Sequence, residues 1–300
     1  MLFSLPLFAK LGFFCLFITP ALSYSQESVL VVTSSQGGIY QDFYATLKNE
    51  SNKKNSLSQV NFSDVDNKIL DNHKLIVSIG YKAAKAISKY ETQNTVIHSL
   101  IPDNESSHNN IPCMNNNCYK VYINQPTNRY IKLFKKLFPT GKKLVLATIN
   151  TNSKISKQVK SISEKNNIPY KEIYIQKDSN ISRIFTSKLN NSDVLLALPN
   201  PEIYNANNAK SIILSSYHAN VPIIAYSKSF TKAGALISLY SSIDDIAEKT
   251  ANIINSIIID GPQRQKEYYP DNFTIEINSA VARSLNIEID TKSAIKRKIK

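Results

Sequence analysis

The sequence predicts an α/β protein of two doubly wound parallel-sheet lobes, and three observations predict it. Short, fully apolar runs alternate with stretches of helical periodicity, the signature of parallel strands covered on both faces. The alternation breaks near residues 125–126 and then restarts, which makes two such sheets rather than one. Length agrees, because 300 residues suit two domains of ordinary size better than a single core.

Taken in order, residues 29–32 (VLVV) form the first strand, followed by a turn at 34–38 and a helix to about Leu47. A weaker strand falls at 58–62, and 74–79 (KLIVSI) is a clear one ended by Gly80, with 83–87 helical behind it. Residues 95–101 and 119–123 complete the first set. The second set has strands at 144–148, 172–175, 194–198 and 221–226, separated by helical periodicity in 152–165, 180–189 and 205–215. An amphipathic helix at 243–258 and a strand–helix pair at 273–277 and 280–285 follow, and these are expected to cross back and complete the sheets. Asp244 and Asp245, after two serines, read as the negatively charged first turn of that long helix.

Composition removes several classes of function. Apolar residues at 42% and charged residues at 20% are those of a core-forming chain, so wholesale disorder is excluded. After residue 23 no run approaches the roughly 20 apolar residues that a membrane helix needs. Seven glycines, and neither G-x-G-x-x-G nor G-x-x-x-x-G-K-[ST], leave no phosphate loop to argue from. Residues 1–23 read as a signal peptide: Lys10, an apolar run at 11–19, then small residues Ala21 and Ser23 at the −3 and −1 positions of a cleavage site. The expected location of the mature chain is therefore the periplasm. The net charge of +13 is spread along the chain with one dense run at 292–300 (KSAIKRKIK). Without basic stripes interleaved with aromatics, it reads as compositional bias, and no nucleic-acid partner is expected.

Export leaves two cysteines, Cys113 and Cys118, in a C-x4-C loop of polar, turn-forming residues, read as a disulfide that pins the loop. The alternative is a metal site with His98 and His108, which requires ligands to converge from irregular spacing. The four histidines, His73, His98, His108 and His218, form no metal-ligand pair, and neither G-x-S-x-G nor H-E-x-x-H occurs. No catalytic residue, metal or cofactor is expected.

In open parallel sheets ligands collect just outside the carboxyl ends of the strands. In the first lobe those positions hold Ser35 and Gln36, with Tyr40 on the next helix, then Ser78 and Tyr81, then Asp103. In the second they hold Asn150, then Asn200, Glu202 and Tyr204, then Tyr226 and Ser227. Hydroxyls, amides and tyrosines suit a small polar molecule whose carboxylate a helix N-terminus can receive. Asn200, Glu202 and Tyr204 are expected to form one wall, opposed by Ser35, Gln36, Ser78 and Tyr81, with tyrosine faces sandwiching the ligand. The same residue types also serve as turn and cap residues, and residues 200–202 read equally well as the start of a helix with Pro201 in its first turn.

Residues 198–204 (LPNPEIY), 211–217 (SIILSSY), 221–227 (VPIIAYS) and 232–241 (KAGALISLYS) carry a family resemblance. With 273–278 (FTIEIN), 281–285 (VARSL), 122–126 (YINQP) followed by Arg129, and 75–80 (LIVSIG), the chain resembles periplasmic substrate-binding components of ABC transporters related to tryptophan-uptake binding proteins. The likeness is stronger from residue 190 onward, while the Asn- and Ser-rich stretches 49–57 and 104–118 depart from the pattern. The resemblance implies a type I periplasmic-binding-protein fold with three interlobe crossings, near 122–125, 236–242 and 270–273. It divides the chain into an N-terminal lobe (24–122 plus 241–272) and a C-terminal lobe (123–240 plus 273–300).

Three functions fit these features. A monomeric solute-binding protein would capture a small polar, amino-acid-like molecule between the lobes and deliver it to the permease of an ABC transporter. The same closing module would instead signal to a sensor's periplasmic domain. An exported enzyme would need a titratable cluster in the cleft, where the strand ends offer only Asp103 and Glu202.

Overall fold

The structure, a computed structural model, describes residues 28–52, 55–103, 111–176 and 179–300. The signal-peptide reading of 1–23 and His108 lie outside the described residues. The N-terminal lobe begins with β1 (Ser28–Thr33), α1 (Ile39–Glu50), β2 (Ser56–Asn61), α2 (Asn67–Asp71), β3 (Leu75–Ile79), α3 (Tyr81–Ile87), β4 (Thr95–Ile101) and β5 (Cys118–Tyr122). The chain then builds the second lobe from α4 (Thr127–Leu137), β6 (Lys143–Thr148), α5 (Lys154–Lys165), β7 (Tyr170–Tyr174), α6 (Ile181–Lys188), β8 (Asp193–Leu196), α7 (Ala206–His218), β9 (Ile223–Ala225), α8 (Lys228–Ala233) and β10 (Ile237–Tyr240). It returns to the first lobe for α9 (Ile243–Asp260) and β11 (Glu267–Tyr268), and ends in the second with β12 (Thr274–Ile277), α10 (Ser279–Ser284) and α11 (Lys292–Ile299).

Each sheet has six strands, in the orders β11-β5-β4-β3-β1-β2 and β12-β10-β9-β8-β6-β7. All pairings are parallel except β10 with β12. The strands are apolar on both faces because helices cover both. Along β6, Leu144 and Leu146 face α4, α5 and α11, while Val145 and Ala147 face the α6–α7 side. Along β1, Val29 and Val31 pack toward α1 and α9, and Leu30 and Val32 toward α3.

The chain passes between sheets three times, after β5, after β10 and between β11 and β12. One chain of hydrogen bonds ties these passages together. Arg129 donates to the Gln125 side-chain oxygen, Gln125 Nε2 to Ser241 Oγ (2.5 Å), and Ser241 Oγ to the Asn272 carbonyl (2.5 Å). Asp244 and Asp245 sit in the first turn of α9, where Ser242 and Asp245 form a capping box. A disulfide joins Cys113 to Cys118 with Cα atoms 5.5 Å apart. Asn115 holds its loop against the Thr92 and Asn94 carbonyls.

Candidate ligand-binding cleft

Turns at the strand ends set the cleft. After β6, Thr148 Oγ1 donates to the Asn150 carbonyl (3.0 Å), Asn150 Oδ1 accepts the Asn152 N–H (2.9 Å), and Ser153 caps α5. After β8, Asn200 Oδ1 accepts the Glu202 N–H and its carbonyl accepts the Tyr204 N–H (2.7 Å). This closes a turn, and the next helix, α7, starts only at Ala206, so residues 200–202 do not open a helix. From the N-terminal lobe, the Asp103 N–H donates to Asn124 Oδ1 (2.7 Å), holding the segment after β4 beside the segment after β5.

These turns converge on one cavity of about 30 Å³ between the lobes. Asp103 and Asn124 line it from one side, and Thr148, Asn150, Ser153 and Asn200 from the other. Asp103 is buried at 5% exposure and accepts a hydrogen bond from the Tyr269 hydroxyl. Lys154, at the start of α5, lies 3.8 Å from Asp103 and 2.5 Å from Glu267 of β11, so one cation of the C-terminal lobe faces two carboxylates of the other. Burial alone would raise the Glu267 carboxyl. Hydrogen bonds from Lys154 and Tyr122, with the Lys154 charge, outweigh it and hold the group below the usual carboxylate range. The Tyr122 and Tyr269 rings pack 5.3 Å apart, and burial followed by the nearby Asp103 charge pushes both phenols up.

The structure brings Asp103, Asn150 and Asn200 to this cavity. Tyr81, the first residue of α3, is half-buried against the cluster that contains Tyr122 and Tyr269. Ser35 and Gln36 are exposed on the loop after β1, and Glu202 is exposed in the turn after β8. Tyr40 lies over Gly80, its Cε1 only 2.6 Å from where a Cβ would stand. Two side chains expected at the cleft face inward instead. Ser78 is fully buried within β3 and hydrogen-bonded to His98 Nδ1 (2.8 Å), because its strand position points into the lobe. Tyr204 is 4% exposed, edge-on to Phe230 at 5.9 Å, and its hydroxyl has no hydrogen-bond partner among the described residues. The tight turn at Asn200 swings it back onto the core. Tyr226 packs on the same Phe230, and Ser227 caps α8.

Asn124, Thr148, Ser153 and Lys154 escaped sequence reasoning. Ser153 and Lys154 lie three and four residues beyond Asn150, within reach of the strand-end rule had it been carried to the helix start. Tyr269 and Glu267 carry no local signal, since β11 has two residues.

The fold and cleft define a class: a two-lobed α/β protein with a cavity where strand ends of the two lobes face each other. The model of the ABC transporter substrate binding protein family matches residues 38–296. The chain belongs to that family. Comparison with curated protein sequences finds no match. Among solved structures, the ligand-free, open form of CD0873, a substrate binding protein with adhesive properties from Clostridium difficile, is similar at 14% identity. It covers 88% of this chain and 96% of that one, with a TM-score of 0.66. An ABC domain in complex with L-Trp from Streptococcus pneumonia is 17% identical, covering 91% and 98%, with a TM-score of 0.60. A conserved domain protein from Vibrio cholerae is 15% identical over the same shares, also at 0.60. Among the described residues no helix is long and apolar enough to cross a membrane.

Proposed function

We propose that this protein is exported, captures a small, polar, amino-acid-like solute between its lobes, and hands it to the permease of an ABC transporter. One observation carries the reading: a buried carboxylate, Asp103, shares a cavity with amides and hydroxyls brought from the strand ends of both lobes. A carboxylate suits a ligand ammonium. The N-terminus of α5, with Ser153 at its cap, suits a ligand carboxylate. The L-Trp bound by the Streptococcus relative supports the same class.

The cavity of about 30 Å³ is far smaller than the roughly 300 Å³ or more of a site that encloses a small molecule. A solute therefore enters only when the lobes part about the three crossings. Its contacts to both lobes then favour the closed arrangement, which is what shifts the equilibrium. Calorimetric titration with a panel of amino acids and other small polar solutes tests this. The expected result is saturable binding of one class, weakened at least about tenfold by Asp103→Asn with little change in Tm. No binding across the panel, together with no co-purified solute in native mass spectrometry, would overturn it.

A further inference from the structure

The basic residues that look scattered along the sequence are gathered in space. Helices α4, α5 and α11 lie side by side on one face of the second sheet. Thr127 of α4 donates to Gln158 of α5, and Lys132 of α4 to the Lys300 carbonyl beyond α11. Their apolar sides, including Tyr130, Phe134, Val159, Ile295 and Ile299, are buried in the sheet's core. Together they carry twelve Lys and Arg residues and a single acid, Glu164. The layer formed by α1 and α9 in the other lobe is the reverse, with six acids and two bases.

We propose that the α4–α5–α11 face is an electrostatic docking surface for an anionic phospholipid leaflet. Lys132, Lys135, Lys157, Lys160, Lys296 and Arg297 all stand exposed on it. Among the described residues, its outward cations are neutralised within the chain by two ion pairs, Lys136 with Asp290 and Lys292 with Glu276. Such a density of like charge opposes itself and gains by meeting a negative surface, over a range set by the Debye length. The chemistry favours lipid over nucleic acid. Ten of the twelve cations are lysines, compact point charges rather than bidentate forks, and the aromatic rings of α4 are buried rather than presented for stacking. The large exposed apolar side chains, such as Tyr174, Leu214 and Tyr217, lie on other elements, so contact is adsorption without insertion. The cavity lies at the N-terminus of α5, and the exposed lysines lie further along that helix. Adsorption therefore leaves the cleft open, in keeping with a family whose partner is a membrane transporter.

The test is co-sedimentation of the mature protein, its N-terminus checked by mass spectrometry, with vesicles of phosphatidylglycerol and phosphatidylcholine in equal parts. Binding is expected at low ionic strength, with release at about 0.5 M NaCl and none to pure phosphatidylcholine. A variant carrying Lys132→Glu, Lys135→Glu, Lys296→Glu and Arg297→Glu should lose at least about fivefold in bound fraction. A control with equal charge change on the opposite layer, Lys188→Glu, Lys210→Glu, Lys228→Glu and Lys232→Glu, should lose less than about twofold. Thermal melts verify that both fold, and the salt release of the unaltered protein stands without either variant. Equal losses in both variants would show net charge alone at work and overturn the assignment. So would absence of binding to the anionic vesicles, or retention on duplex DNA with vesicles unbound.

Discussion

The two lobes share an architecture and differ in almost everything their surfaces carry. Among the described residues, those up to 122 with 241–272 hold thirteen acids and ten bases, whereas those of 123–240 and 273–300 hold seven and twenty-two. Both nonetheless build a six-stranded sheet, parallel but for β12, with helices on both faces. The fold depends on which positions face the sheet, and those are apolar in both lobes. Solvent-facing positions of helices tolerate either sign of charge, so the lobes are free to diverge where they meet partners. The lobes also differ in how tightly they are pinned. The N-terminal one has the disulfide, a buried histidine and a glycine wedged under a tyrosine.

That last difference gives the largest expected effect. Gly80 has φ 88°, and a Cβ there would meet Tyr40 Cε1 at 2.6 Å and Ser34 Oγ at 2.8 Å. Ser34 cannot yield, since its hydroxyl donates to the Ile79 carbonyl and accepts the Ala83 N–H, both at 2.9 Å. Gly80→Ala should cost about 3–4 kcal/mol in denaturant unfolding. Gly234→Ala in the other lobe, where φ is 131° and a Cβ meets the Ile213 Cγ2 methyl at 2.8 Å, should cost somewhat less, because one neighbour rather than two must give way.

His98 gives the next effect. Burial holds its imidazole neutral and pushes its pKa down to about 3, with Lys120 adding to the shift. The unfolded chain takes up that proton near pH 6.5, so the stability is complete above that pH and is lost as pH falls toward 3. At pH 4.5 the loss is about 3 kcal/mol. His98→Asn should flatten stability against pH between 8 and 4.5 in denaturant melts by that amount, and an unchanged slope would place the acid sensitivity elsewhere.

Cys118→Ser should cost about 2 kcal/mol, the closure entropy of so short a loop, and shift only the N-terminal lobe's transition in calorimetry. The smallest effect is expected at the contact between lobes. Lys154→Met removes the partly exposed pair with Glu267, worth about 0.5–1 kcal/mol, and the longer 3.8 Å contact with buried Asp103. It should slightly raise the ligand-free radius of gyration in small-angle scattering while leaving Tm nearly unchanged. A smaller radius would mean that Lys154 holds the lobes apart.

Strands such as 29–32 and 144–148 were legible to within a residue because burial on both faces leaves a continuous apolar run. Helix α4 was missed although Tyr130, Ile131 and Phe134 keep helical spacing with the lysines on the opposite face, and two-residue β11 has no periodicity to read. At the cleft, Asp103, Asn150 and Asn200 followed from the strand-end rule. Tyr204 did not, because four residues past a strand the direction of a side chain depends on the turn between. Here that turn is closed by the Asn200 side chain and carbonyl.

The sequence by itself determined two largely parallel sheets and most of their strands, because these follow from local apolar periodicity. Only the tertiary structure decided that Asp103 meets Tyr269 across 166 residues and that Lys154 faces Glu267 between lobes. It also decided that lysines from three separated helices share one face. Such meetings depend on where the chain crosses between sheets and how the lobes abut, and no window of neighbouring residues encodes that distance.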